Sequence, residues 1–141
     1  MRSRVIKRKL EIRPRFPQAD MMGVIHNVEY FHWFEEGRLQ IMLEVLPMDE
    51  AVALGIAMPV VENHCNYKVP ARFGDRLTLY TTHRVSPAYE GRLRFEHMLV
   101  RDGTRVEIAC GYSVTTIVDM STMRLIKEWK GELWDRYQAL Q

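Results

Sequence analysis

The chain has 141 residues, of which 47% are hydrophobic and 27% are charged, as is typical of one globular domain. Twenty lysines and arginines against 18 aspartates and glutamates leave a net charge of +2, which excludes a nucleic-acid binder that depends on bulk positive charge. No apolar run approaches the ~18 residues of a transmembrane helix, and the basic N-terminus lacks the apolar core of a signal peptide. We expect a single domain over residues 1–141 that binds neither membrane nor nucleic acid.

The cysteine content argues against disulfides and metals. Cys65 and Cys110 are the only cysteines, too few for a disulfide framework or a zinc site of their own; one isolated bridge between them stays open, but we expect free buried thiols. Free thiols suit a reducing compartment, so the sequence predicts a cytoplasmic protein. No P-loop, GxGxxG or serine elbow occurs, and we expect neither a metal nor a cofactor.

The first third of the chain predicts a strand followed by a long helix. Residues 5–16 alternate loosely between apolar and charged side chains, as in a partly exposed strand, and residues 18–27 predict a loop. Over residues 28–46, apolar residues recur every three or four positions and cover a wide face, which predicts a mostly buried helix. Asn27 is the expected N-cap, and Pro47 marks the end.

The remainder predicts antiparallel strands and two short helices. Four segments have strand character: residues 58–70, 75–85, 92–100 and 105–119. Asp102-Gly103 predicts a two-residue hairpin, and short helical segments are expected over residues 48–55 and 128–140. A helix with so much apolar surface needs a sheet that curls around it, so we predict an α+β domain with one long helix on a curved antiparallel sheet of about five strands. The uncovered sheet edges and outer face predict a homodimer or a tetramer.

One segment carries a recognisable pattern. Asp20 is followed three residues later by Gly23, then by Tyr30, then by an aromatic-rich helix with Glu and Arg. This segment resembles the motif of the 4-hydroxybenzoyl-CoA thioesterase-like group of hotdog-fold proteins. Residues 70–77, where Gly-Asp opens a strand, resemble a second recurring segment of that group. The resemblance covers about residues 5–119, and it implies a hotdog-fold acyl-CoA thioesterase with sites at subunit interfaces.

The resemblance puts the catalytic carboxylate at Asp20. A thioester needs a nucleophile or an activated water, plus donors for the oxyanion. A carboxylate can attack the carbonyl to form an anhydride or act as a base toward water, and the sequence leaves both open. The first N–H groups of a helix lack internal partners and lie at the positive end of its dipole. The backbone amides of Asn27 and Val28 are therefore the expected oxyanion donors, and the resemblance implies the same Asn27 amide.

Further candidates surround this core. The expected substrate-binding residues lie in the loop, on the helix or at the next strand: Gly23, His26, Tyr30, Phe34 and Met58. Core packing explains the last three equally well. Gln18 stands where several relatives carry an additional Asp, which leaves one carboxylate in the loop. Glu35 and Arg38 are spaced to form an ion pair on one helix face.

A basic cluster is the candidate site for CoA phosphates. Arg84, Arg92 and Arg94 surround the loop over residues 86–91, and relatives often place CoA phosphates against a comparable basic loop. The guanidinium fork suits phosphate, although these arginines could equally be solvated strand-face charges.

Three alternatives for the activity stay open. The acyl group could be carried by an acyl-carrier protein instead of CoA. The chain could be a hotdog acyl-CoA hydratase, although those pair an Asp with a His five residues on, whereas Asp20 and His26 are six apart. It could also be a non-catalytic module that binds an acyl ligand.

Overall fold

The computed structural model describes residues 4–141, so Met1, Arg2 and Ser3 of the basic N-terminus lie outside the described residues. A 3-10 helix at Phe16–Gln18 follows the first strand. The other elements, in chain order, are β1 (Arg4–Ile12), α1 (Glu29–Met42), α2 (Met48–Leu54), β2 (Ile56–Ala57), β3 (Val60–Tyr67), β4 (Leu77–Val85), β5 (Leu93–Arg101), β6 (Val106–Thr115), β7 (Val118–Asp119), β8 (Arg124–Leu125) and α3 (Glu132–Gln138).

Five strands form one antiparallel sheet in the order β1-β4-β5-β6-β3, and the short strands β2, β7 and β8 form a second sheet. Strand β4 shows why its sequence forms a half-buried strand: alternate residues from Leu77 to Val85 are buried, while those between are more exposed. Strand β3 is an edge strand, and most of its residues are exposed on both faces.

Helix α1 lies against the inner face of the sheet, and two glycines permit this close packing. A Cβ on Gly37 would clash with the side chains of Thr81 and Leu79, and a Cβ on Gly111 would clash with the ring of Phe34 and the backbone of the adjacent edge strand. The helix buries one broad face, which includes Phe34 and Ile41 at 0% exposure. This face is the apolar stripe that the sequence predicts.

The core has two parts, one toward each end of the sheet. The part beneath the start of α1 contains Tyr30, Trp33 and Phe34. The other part, beneath the end of α1, is closed by the C-terminal segment through Trp129 and Tyr137. Aromatic residues of the closing helix thus fill the core where α1 ends.

The α+β class and the five-stranded antiparallel sheet are confirmed. The layout has three helices, and the short α2 and α3 lie within the two short helical segments that we predicted. The long central helix is not confirmed, because α1 covers 14 residues, fewer than the predicted 28–46. Asn27 is not the N-cap: Val28 takes that position, and no side chain caps the helix. No helix within residues 4–141 combines the length and the apolar character needed to cross a membrane.

The predicted two-residue hairpin at Asp102-Gly103 is wrong, because Arg101 pairs with Val106 and leaves a four-residue loop. The Asp102 carboxylate accepts a 2.6 Å hydrogen bond from the Thr78 hydroxyl, and its N–H donates to the Arg76 carbonyl at 2.8 Å. These two bonds hold Asp102 against β4 and the residue before it, so the chain does not reverse in a two-residue turn at Asp102-Gly103. The predicted strand over residues 105–119 is divided between β6 and β7.

Candidate active site

Asp20 lies in a loop that is closed by hydrogen bonds of the Asp20 backbone N–H and carbonyl groups. The Asp20 N–H donates to the Val24 carbonyl at 2.9 Å, and the Gly23 N–H donates to the Asp20 carbonyl at 3.0 Å. Gly23 has φ 75°, in the left-handed region that favours glycine. Its carbonyl accepts a 2.9 Å hydrogen bond from the Phe73 N–H. The loop is therefore a tight turn anchored to the segment that precedes β4.

The Asp20 carboxylate has one engaged oxygen and one free oxygen. Its Oδ1 accepts the N–H groups of Met22 at 2.8 Å and Val24 at 3.0 Å. Its Oδ2 forms no hydrogen bond with any residue between 4 and 141, and the side chain is exposed. One oxygen thus fixes the carboxylate to the loop, while the other can meet a carbonyl carbon or a water molecule.

The start of α1 offers two free donors immediately after this loop. The N–H groups of Asn27 and Val28 donate to no acceptor in the described part of the chain, and they lie at the positive end of the helix dipole. The Tyr67 hydroxyl donates a 2.7 Å hydrogen bond to the Asn27 carbonyl. Since this carbonyl and the Val28 N–H share one planar peptide, Tyr67 holds the Val28 donor in place.

A cavity of about 330 Å³ opens beside these amides, between α1 and the end of β3, and Asn27, Tyr30 and Tyr67 are among its lining residues. The Tyr30 side chain is 3% exposed, and its hydroxyl accepts a 3.1 Å hydrogen bond from the Ala71 N–H. The ring is therefore fixed at the cavity wall, next to the helix start.

A second carboxylate lies in the first turn of α1, a residue that the sequence interpretation missed. Glu29 accepts hydrogen bonds from Gln18 Nε2 and His32 Nδ1, both at 3.0 Å. The bond with His32 lowers the pKa of Glu29, and the same bond raises the pKa of His32. Gln18, which stands where relatives have an Asp, therefore acts as a donor that holds Glu29. No sequence signal distinguished Glu29 from an ordinary acidic residue at a helix start.

Other predicted residues are placed less favourably. His26 is exposed at the loop end, where its N–H donates to Gln18 and its carbonyl accepts from Glu29, both at 3.0 Å. Phe34 is fully buried and stacks on the His97 ring at 4.4 Å, so it belongs to the core. Met58 lines a different cavity, near the end of α1. The structure gathers the loop residues and the helix start, but not Phe34 or Met58.

The three arginines of the basic cluster line one cavity of about 370 Å³. Arg94 pairs with Glu96 at 2.7 Å and lies 3.8 Å above the Tyr112 ring, whereas Arg92 is 4.0 Å from Glu62. Arg84 lies seven residues along β4 from Leu77, which corresponds to about 23 Å of extended strand. The Asp20 loop is anchored near the Leu77 end of β4. Within a single chain, these arginines and Asp20 therefore do not share a cavity.

The helix also carries an arginine that sequence reasoning misjudged. The expected Glu35–Arg38 ion pair is absent, because no carboxylate among residues 4–141 lies within 4.0 Å of the Arg38 guanidinium; the Arg38 residue as a whole is 7% exposed. Cys65 and Cys110 are free thiols and half-buried.

Residues 14–136 match the model of the Thioesterase-like superfamily. The chain is 28% identical over 74 residues to "Putative acyl-CoA thioesterase YneP" of Bacillus subtilis, over 52% of this chain and 54% of that protein. It is 24% identical over 94 residues to "Acyl-acyl carrier protein thioesterase ATL3, chloroplastic" of Arabidopsis thaliana, over 66% of this chain and 48% of that protein. The chain thus spans about half the length of these curated relatives.

The fold is also similar to that of solved structures. The crystal structure of Slr0204, a 1,4-dihydroxy-2-naphthoyl-CoA thioesterase from Synechocystis, matches with a TM-score of 0.79 at 16% identity, over 93% of this chain and 94% of that one. This likeness concerns the fold, whereas the family match covers most of the sequence. The chain belongs to the Thioesterase-like superfamily.

Proposed function

We propose that this chain is a thioester hydrolase that cleaves acyl-CoA into a free acid and CoA. The observation that carries the proposal is the pair of free amides at Asn27 and Val28, directly after the loop that presents the unbonded oxygen of Asp20. A hydrolase needs both elements: an oxygen nucleophile or base, and donors where negative charge develops. The adjacent cavity has room for the thioester.

Two routes use the same groups. In one, Asp20 Oδ2 attacks the thioester carbon, the carbonyl electron pair moves to the oxygen at the two amides, and collapse expels the CoA thiolate. The resulting anhydride is then hydrolysed by water, which regenerates the carboxylate. In the other, Asp20 takes a proton from the water that attacks the same carbon. Both routes need the amides to stabilise the oxyanion.

We further infer a hotdog fold that assembles through β3 as a homodimer, or as a tetramer built from two such dimers. This strand is at the sheet edge and exposed on both faces, so its outer backbone groups are open to a second strand. In an antiparallel pairing of two β3 strands about a two-fold axis, the Val60 end of one chain meets the Tyr67 end of the other.

This pairing would bring the basic cluster to the active site. Val60 pairs with Thr115, which pairs with Leu93, so the Val60 end of β3 is also the end of the sheet that carries Arg92. Arg92 of the partner subunit would then lie at the end where this chain holds Asp20. We propose that these arginines bind the CoA phosphates across the interface.

One observation favours a second candidate, an acyl-carrier-protein thioesterase. Arg92 and Arg94 already face Glu62 and Glu96, which reduces the positive charge available to CoA phosphates, and one relative is named as an acyl-acyl carrier protein thioesterase. The discriminating experiment is a panel of aryl, short and long acyl-CoA esters with detection of the released thiol. Turnover of at least one ester supports the CoA proposal. Inactivity on all of them, with hydrolysis of acyl-carrier-protein substrates, would favour the second candidate.

A further inference from the structure

A large apolar cavity lies away from Asp20, between the C-terminal half of α1, α2 and the start of β3. Its volume is about 650 Å³, within the range of ~300–1,000 Å³ usual for small-molecule pockets. Its wall includes four methionines: Met42, Met48, Met58 and Met120. Methionine side chains adapt to irregular ligands, so this wall suits a flexible acyl chain.

Arg38 is the feature of this cavity that apolar packing does not explain. It lines the wall and is 7% exposed. Its guanidinium has five N–H donors and no acceptor, yet it forms no hydrogen bond or ion pair with any group of residues 4–141. Burial lowers the pKa of Arg38, and the charge of Glu35, one turn earlier on α1 and in the wall of the same cavity, partly offsets this without forming an ion pair within 4.0 Å. A mostly buried charge without a hydrogen-bonded partner is unfavourable, so the five donors of Arg38 leave room for an anion in addition to Glu35.

The core does not supply that anion. His97 lies near enough for Arg38 to affect it: burial first, and then the charge of Arg38, lower the pKa of His97 to about 3. The ring is therefore neutral, and its nitrogens already hydrogen-bond the hydroxyls of Thr81 at 3.1 Å and Ser113 at 2.8 Å. A hydrogen-bonding anion for Arg38 can enter through the cavity.

We propose that Arg38 binds a carboxylate at the far end of the substrate's acyl group, so that the enzyme prefers CoA thioesters of dicarboxylic acids over plain alkyl thioesters. The proposal rests on the proposed thioesterase function. A carboxylate matches the guanidinium fork with two parallel hydrogen bonds, while the methionine wall holds the methylenes.

The cavity beside the helix start and this larger cavity lie toward opposite ends of α1 and β3: Asn27 and Tyr67 line the first, Arg38 and Val60 the second. Arg38 is eleven residues after Asn27, which corresponds to about 16 Å along a helix. An extended chain that advances ~1.2 Å per bond covers that distance with roughly a dozen carbons.

The test compares alkyl and ω-carboxyalkyl CoA esters of 8, 12 and 16 carbons on the wild type, Arg38→Met, Arg38→Lys and a control, Arg76→Met, which removes an exposed arginine. We expect the wild type and the control to show at least about a tenfold higher kcat/KM for an ω-carboxy ester than for the alkyl ester of equal length. Arg38→Met should lose this preference, and Arg38→Lys should keep only part of it, because it retains the charge without the fork. Equal or better use of alkyl esters at every length by the wild type, or an unchanged preference in Arg38→Met, overturns the proposal.

A binding measurement separates this inference from the proposed function. Calorimetry with free dodecanedioate should show binding to the wild type and at least tenfold weaker binding to Arg38→Met. Arg38→Met should also melt no lower than the wild type, since it removes an unpaired buried charge. If no ester is hydrolysed but the diacid binds in an Arg38-dependent manner, the proposed function is rejected and the carboxylate site at Arg38 is retained. If alkyl esters are hydrolysed but the diacid does not bind, the proposed function is supported and the carboxylate site is rejected.

Discussion

The Tyr67 hydroxyl donates a 2.7 Å hydrogen bond to the carbonyl of Asn27, and so joins the last residue of the edge strand to the peptide that opens α1. Burial, with the Cys65 thiol beside it, raises the pKa of Tyr67 to about 12, so the hydroxyl remains a donor at any pH suitable for an assay. The bond couples the position of β3 to the orientation of the Val28 N–H. A contact at the proposed dimer edge would therefore affect the proposed oxyanion site.

The first prediction concerns this bond. Tyr67→Phe should lower kcat by roughly tenfold, less than the ~10²–10³ for loss of an oxyanion donor itself, because the amide remains but is less well oriented. The free energy of unfolding should fall by only about 1 kcal/mol, the usual net contribution of one hydrogen bond. Steady-state kinetics and urea unfolding measure the two effects. Tyr80→Phe, at an exposed tyrosine on β4, is the control; an equal loss of kcat in both variants would exclude the orienting role.

The second prediction uses the two roles of the Asp20 carboxylate. Asp20→Asn keeps an oxygen that can accept the N–H groups of Met22 and Val24, so its melting temperature should stay close to that of the wild type. Its turnover should fall at least about a hundredfold, the lower range for loss of a base or nucleophile. Asp20→Ala should lose the same activity and also stability, because both N–H groups lose their acceptor. Near-normal turnover in a well-folded Asp20→Asn protein would remove Asp20 from the mechanism.

The third prediction concerns the basic cluster. Arg92→Ala should raise KM for acyl-CoA with a modest effect on kcat, because a contact made equally in substrate and transition state changes mainly KM. An acyl-pantetheine ester, which lacks the nucleotide phosphates, should be hardly affected. Added salt should weaken binding of the CoA ester by screening exposed charges. The fold should tolerate the change, since the Arg92–Glu62 contact is exposed and 4.0 Å long. Equal impairment with both substrates would make Arg92 a structural residue.

The fourth prediction concerns assembly. Light scattering at micromolar concentration should give at least twice the chain mass of 16.7 kDa, with an obligate interface on the order of 2,000 Å² or more. Asn63→Pro, in the middle of the exposed edge strand, removes a strand N–H and should shift the protein toward the monomer with loss of activity. A wild-type mass of about 17 kDa would defeat this prediction and the shared active site with it.

The fold was largely predictable because its signals are periodic. Leu77 to Val85 alternate in sequence and in burial, and the stripe through Phe34 and Ile41 predicts the buried face of α1. The errors concern ends and turns, where one tertiary hydrogen bond is enough to change the outcome. Asp102 is the example: the Thr78 hydroxyl on the adjacent strand lengthens the loop, and no local pattern reveals that hydroxyl.

The candidate site was predictable only where it is local in sequence. Asp20, Gly23 and Asn27 lie in one short segment, and the structure brings them together as a loop and a helix start. Tyr67 comes from β3, forty residues from Asn27, and no sequence pattern connects the two. Arg38 has the spacing for an ion pair, but its side chain turns to the interior instead, a choice that depends on the packing of α1 against the sheet.

The last prediction follows from the buried His97. Its pKa is lowered to about 3 from an ordinary value of 6.5, so the folded protein excludes a proton that the unfolded chain accepts. The contribution of the neutral His97 ring to the free energy of unfolding is therefore complete above about pH 6.5, and it is lost as the pH falls from there toward 3. The buried His83, whose pKa is also lowered by burial, acts in the same direction.

Urea unfolding between pH 7.5 and 4.5 tests this linkage. The wild type should lose up to about 1.4 kcal/mol of unfolding free energy per pH unit for each such proton. His97→Gln keeps groups that can hydrogen-bond Thr81 and Ser113, and its loss per pH unit should be smaller by that amount. Ile12→Val, a buried substitution on β1 away from both histidines, should be less stable at every pH but keep the wild-type slope. If His97→Gln and the wild type lose stability in parallel, folding does not lower the pKa of His97. The ring beside Arg38 would then be protonated at acid pH, and the proposed anion site would lose one of its supports.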